Sequence, residues 1–173
     1  ANKTLEELEG FEYLAEYSGV TDKMGSLKKN PKSHVAYGYG AQLVELDDAG
    51  KLKRVVAAYD VGRVINRTNV EGQIEGGVAM GLGYALTEDY RLENCIPKVR
   101  FGTLGLFRSI DVPVIKTIIV NKDFKGELAY GAKGVGEIAT IPTAPAVQGA
   151  YFAYDNIFRT TLPLKETPYS KGK

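Results

Sequence analysis

The sequence predicts an α+β fold, a mixed sheet with hairpin strands and packed helices. Three observations carry that expectation. Apolar and polar residues alternate on either side of Asp47-Asp48-Ala49-Gly50, a short β-branched run follows Pro113, and two further stretches place apolar residues at helical spacing. Strands and helices do not alternate cleanly along the chain, so a doubly wound parallel sheet is not expected.

The elements follow in order. Leu5, Leu8, Phe11 (or Glu12), Leu14 and Ala15 recur roughly at helical spacing, and Thr4 with Glu7 makes a capping box, so residues 4–17 read as a surface helix. A polar connector, GVTDKMGSLKKNPKS, comes next. Hairpin strands are expected at about 34–46 and 52–60, because Asp-Asp-Ala-Gly suits a tight reversal. The stretch NVEGQIEGGVAMGLGYALTEDY predicts a helix from a Thr68 or Asn69 cap, with Val70, Ile74, Val78 and Met80 to Leu82 as its apolar positions. It also carries Gly72, Gly76, Gly77, Gly81 and Gly83, each costing up to ~1 kcal/mol against Ala inside a helix. Another helix or a bulky ligand must therefore press against that surface. DVPVIKTIIV predicts a buried strand after Pro113. Residues 141–154 predict a helix with Pro142 or Pro145 in its first turn, where a missing N–H costs nothing. The end of the chain is polar and punctuated by Pro163 and Pro168. The expected organisation is one domain over 1–173, with helix and connector in 1–30, a core in 31–160 and a tail in 161–173.

Composition narrows the function. With 44% hydrophobic and 25% charged residues in 173, the chain can bury a core. A net charge of +1 gives no electrostatic footprint for nucleic acid or anionic lipid. The acidic N-terminal stretch lacks the order of a secretory signal and no apolar run reaches membrane-spanning length, so a cytoplasmic location is expected. One cysteine, Cys95, and one histidine, His34, cannot form an internal disulfide, a zinc site or an iron–sulfur cluster. A redox metal must come with a cofactor or a partner.

Candidate chemistry centres on AYGAKGVGEIATIPTAP, residues 129–145. It is not a phosphate-binding loop, since Lys133 is followed by Gly134 rather than Ser or Thr, and neither GYGAQ nor GLGYAL fits a dinucleotide fingerprint. Gly131, Gly134 and Gly136 permit positive φ and let a ligand lie against the main chain. Two readings of Glu137 stand on the residues alone: it caps the following helix, or it is an ionised carboxylate poised as a general base. Burial statistics favour a surface role for Glu137 and for the lone amide Gln73. His34 has no neighbouring carboxylate, Asp60 with Arg63 reads as a turn ion pair, and the tyrosines read as half-buried packing.

Two ordered segments change that balance. HVAYGYGAQLVELDDAGKLKRVVAAYDVGRVINRTNVEGQIEGGVAMGLGYAL, followed some fifty residues later by YGAKGVGEIATIPTAPAVQGAYF, resembles the C-terminal part of the molybdenum-binding subunit of the xanthine oxidase and aldehyde oxidoreductase family, the molybdenum hydroxylases. The resemblance implies that this chain is the C-terminal piece of a molybdenum-binding domain. It implies a molybdenum–molybdopterin cofactor, bare or as its cytosine dinucleotide, with the metal held by the pterin dithiolene and ligated by no protein side chain. It implies that Glu137 is the base that deprotonates a hydroxyl on the metal, that Gln73 hydrogen-bonds the cofactor, and that Gly134, Val135 and Gly136 form the loop against it.

The run EIATIPTAP lacks the proline pair that follows the glutamate in many eukaryotic members and is closer to bacterial purine-type ones, which points to xanthine or hypoxanthine. Aldehydes and other N-heterocycles are the alternative substrates. Iron–sulfur clusters and FAD are expected on other segments or subunits, and the chain is either an excised piece or a separate small subunit, inactive alone and prone to self-association through uncovered apolar surface. The rival reading is a binding or assembly module that kept the fold and lost the chemistry.

Overall fold

In the computed structural model the described residues are 14, 16, 18–23, 25–32, 34, 36–120 and 129–170, and they fall into two units that divide between Tyr37 and Gly38. The helix expected over 4–17 lies outside the described residues, apart from Leu14 and Glu16. In the first unit the Asp22 carboxylate binds the Lys28 ammonium and accepts from the Lys32 amide at 2.7 Å. The Lys28 bond leads in holding the Asp22 carboxyl below its usual range. His34 is exposed, its ring 5.6 Å from that of Tyr37.

The second unit is built on the predicted hairpin. Strands β1 (Tyr39–Leu46) and β2 (Leu52–Asp60) pair antiparallel, with a register shift between Glu45 and Leu46. Asp47 builds the turn, since its Oδ1 accepts from the amides of Ala49 and Lys51, and Gly50 closes it at φ +71°. An L side chain is strained at that angle. Helix α1 (Arg67–Leu86) begins two or three residues earlier than expected. Its N-cap is Asn66, whose side chain accepts from the Asn69 amide, because a cap serves the free N–H three residues on. A two-residue hairpin follows, β3 (Leu92–Glu93) with β4 (Ile96–Pro97), turned through Asn94 and Cys95 at positive φ. Strand β5 (Val114–Val120) then lies parallel to β2, giving the sheet order β1-β2-β5. Helix α2 (Thr143–Asp155) starts two residues later than expected, with Pro145 in its first turn as the sequence allows and Pro142 at its N-cap.

One face of the sheet makes the core. Val55, Ala57 and Tyr59 of β2 join Ile74, Val78, Leu82, Ala85 and Leu86 of α1, Val147 and Tyr151 of α2, and Leu164. Each large aliphatic here contributes about 1.5–3 kcal/mol through burial. The other face leaves Tyr39, Leu43, Val114 and Ile118 exposed. Strand β5 is therefore not the buried strand expected. It alternates exposed with half-buried positions, because it is an edge strand covered on one side.

The tail is less polar in its role than its composition suggests. Leu164 is buried and its amide donates to Ala85 O at 2.7 Å, while Arg159 pairs with Asp155 and donates to the carbonyls of Lys165 and Glu166. Tyr151 and Tyr154 reach back from α2 to donate to Gly50 O and Asp48 O, tying the hairpin turn to the last helix. Among the described residues no helix is long and apolar enough to cross a membrane, and no group of three His, Cys, Asp or Glu is arranged to hold a metal ion.

Candidate functional site

The glycine loop lies between β5 and α2 in the chain, packs against the end of β2, and is anchored at both ends. At its start, Arg63 N donates to Gly131 O at 2.9 Å and Lys133 N to Val61 O at 3.0 Å. Gly131 has φ 84°, and Gly62 sits so close to Gly131 O that a Cβ there would strike it. The Lys133 ammonium meets the Asp60 carboxylate at 2.7 Å, with both side chains largely buried. The pair expected between Asp60 and its neighbour Arg63 thus gives way to one spanning 73 residues, because the loop folds back on the strand end. Positive φ is confined to Gly131 among the three loop glycines, and Ala129 and Tyr130 share it. Gly134 and Gly136 are open instead, with nothing within 4 Å of where a Cβ would stand.

At its far end the loop lies against α1. Gln73 Nε2 donates to Gly136 O at 2.6 Å, and Thr140 Oγ1 donates to Gly77 O at 3.3 Å. Between those ties, Ala139 O accepts from Gln42 Nε2 at 2.9 Å, Tyr59 OH at 3.0 Å and Thr143 Oγ1 at 3.2 Å. Burial raises the Tyr59 phenol above its ordinary value, so it stays a neutral donor to that carbonyl. The glycines of GYGAQ have their explanation here as well. Gly40 lies under the Tyr59 ring and Gly38 under Ile138, where a Cβ would collide.

Gln73 and Glu137 therefore share one cleft of about 860 Å³, with Gly136 between them. Its other walls are Gly72, Gly76 and Gly77 of α1, the side chains of Met80 and Tyr84, and Thr140, Ile141 and Ala144. Glu137 is exposed, and α2 has no side-chain cap, so the reading of Glu137 as a helix cap fails in this structure. Gly134 and Val135 stand outside the cleft lining, and Val135 packs its side chain on the core.

Residues 73, 76, 77, 80 and 84 line the cleft together because they share one face of α1. Met80, expected among the apolar positions of the helix, is 69% exposed there, and Ile141 is 72% exposed. The three- and four-residue spacing from Gln73 is the sequence signal for that wall. Thr140 has none beyond lying three residues after Glu137.

Comparison with known proteins places the chain in a family. The family described as "Molybdopterin cofactor-binding domain" matches residues 3–113, which include Gln73 and stop before the glycine loop. A probable xanthine dehydrogenase subunit from Bacillus subtilis is 35% identical over 141 residues, covering 76% of this chain and 18% of the relative. The nicotine 6-hydroxylase large subunit of Paenarthrobacter nicotinovorans is 30% identical over 156 residues, 82% of this chain and 17% of the relative. The crystal structure of the aldehyde oxidoreductase from Desulfovibrio desulfuricans superposes with a TM-score of 0.65 at 28% identity, covering 79% of this chain and 15% of that one. The chain thus spans less than a fifth of the length of these proteins. It belongs to the molybdopterin cofactor-binding domain family, within the molybdenum hydroxylases of the xanthine dehydrogenase and aldehyde oxidoreductase type.

Proposed function

We propose that the cleft between α1 and the glycine loop is one wall of a hydroxylation site, in which Glu137 is the general base and an electron-poor carbon of a purine-like heterocycle is the substrate. The observation that carries this reading is the 2.6 Å bond from Gln73 to Gly136 O, which joins the two motifs 63 residues apart at the residue before Glu137. The residues present fit a bulky, flat, polar-edged cofactor. The Cα faces of Gly72, Gly76 and Gly136 are open, and the Gln73 amide retains its second N–H and its carbonyl oxygen for a ligand. Bound there, molybdopterin-held molybdenum supplies the two-electron acceptor and the centre at which water is activated.

This chain's own residues do the rest of the wall's work. Inserting one oxygen from water into a C–H bond releases two protons and two electrons. The exposed Glu137 carboxylate takes one proton as the oxygen is transferred, and Gln73 orients the polar edge of the cofactor without adding charge. Met80, Tyr84, Ile141 and Ala144 offer an apolar surface for a flat ring beside the carboxylate. The electrons leave through iron–sulfur and flavin carriers outside this chain, and the chain alone is inactive.

The test uses the intact enzyme that contains this chain. Glu137→Gln lowers kcat by at least about 100-fold with the molybdenum content unchanged. Unimpaired turnover overturns the reading. The same wall admits other rings, and relatives named for nicotine hydroxylation and aldehyde oxidation keep those classes open. A turnover screen of purines, aldehydes and N-heterocycles decides among them.

A further inference from the structure

We infer that Thr140 is a positioning residue for Glu137, with Gly77 as the site it docks on. This rests on the reading of Glu137 as the base. Glu137 sits in a turn rather than a regular element, and a turn holds a side chain only as well as its own ends are held. The end before Glu137 is tied to α1 through Gln73, a residue already placed beside the cofactor. The end after it is tied by Thr140 twice. The Thr140 amide donates to Glu137 O at 3.1 Å, closing the turn, and its hydroxyl donates to Gly77 O at 3.3 Å, fastening that turn to α1.

Gly77 allows this approach. A Cβ on Gly77 would stand 2.6 Å from Ala139 Cβ and 3.4 Å from the Thr140 amide nitrogen and hydroxyl, so the helix and the turn meet backbone to backbone. The carbonyl of Gly77 reaches the hydroxyl because the glycine has nothing to hold the turn away. Glu137 is thereby bracketed on consecutive turns of one helix, at residues 73 and 77. Without Thr140 the carboxylate stays in the cleft but samples more directions, and general-base catalysis is sensitive to such misplacement.

The experiment compares Thr140→Val, which keeps shape and loses the hydroxyl, with Thr140→Ser, which keeps the hydroxyl, in the intact enzyme. Thr140→Val lowers kcat about tenfold with KM and molybdenum content unchanged, and Thr140→Ser restores most of it. Hydrogen exchange of the residue-140 amide rises in the Val variant and returns in the Ser variant, a readout independent of turnover. On a Glu137→Gln background, Thr140→Val causes no further loss, since a positioning residue has nothing left to position. A fully additive loss on that background overturns the proposal, as does a rise in KM alone, a loss of molybdenum, or wild-type kcat and exchange in the Val variant. Failure of the base reading itself is seen separately, as full activity in the single Glu137→Gln enzyme, while the exchange result still reports whether the tether exists.

Discussion

The two halves of α1 carry glycine at similar density and use it in opposite ways. In the C-terminal half, Gly81 faces Thr143, with a Cβ position 2.5 Å from Thr143 Cβ, and Gly83 faces the Glu88 carboxylate. Both are buried, and the neighbouring chain fills the space a side chain would need. In the N-terminal half, Gly72 and Gly76 have nothing within 4 Å of where a Cβ would stand, and both line the cleft. Gly77 marks the change, buried against Ala139 yet still at the cleft edge. The difference teaches that glycine in a helix can serve packing within the chain or room for something outside it, and that only the neighbour tells which.

Substitution breaks this comparison most sharply at Gly81. Gly81→Val destabilises the fold by about 3 kcal/mol or more, because its methyls overlap backbone-fixed atoms of the next helix. The fall in the urea midpoint measures it, and an unchanged midpoint would mean α2 slides without cost.

A smaller effect comes from pH, and it again belongs to the packed side. Burial raises the Tyr151 phenol well above its ordinary value of 10, and its hydroxyl donates to Gly50 O at 2.8 Å. The folded state thus holds that proton more tightly than the unfolded chain does. Its contribution to stability is complete below pH 10 and declines as pH rises through the range where the unfolded tyrosine ionises. Urea midpoints measured across that range fall in the wild type and fall less in Tyr151→Phe.

The smallest effect has the opposite sign. Gly76→Ala stabilises the chain by about 0.5–1 kcal/mol, since the methyl meets nothing and the helix gains propensity. That methyl projects into the cleft, so the intact enzyme retains less molybdopterin. A stability gain with cofactor content unchanged would show that the open half of α1 leaves more room than a ligand needs.

Much of the fold is legible from local pattern. The Asp47–Gly50 turn, both hairpin strands, the strand after Pro113 and the proline-started α2 follow from alternation, β-branching and the missing N–H of proline, all short-range properties. The cap of α1 lies two or three residues before the expected one because Asn66, Thr68 and Asn69 are all competent acceptors, and the choice depends on which amide is free. Strand β5 departs from the buried strand expected because β-branched content reports strand formation and not how many faces are covered. The Asn94–Cys95 reversal carries no glycine to announce it.

The residue types and their order were enough to single out Glu137 and Gln73 and to name the family whose motifs they share. Their meeting across one cleft, the Lys133–Asp60 anchor, the three donors on Ala139 O and the docking of Thr140 on Gly77 were decided by the tertiary structure. Each of those contacts joins residues far apart in the chain or depends on a backbone carbonyl, which every residue possesses and no letter of the sequence marks. Their existence rests on how closely α1, the strand end and the loop approach, and that distance is set by packing.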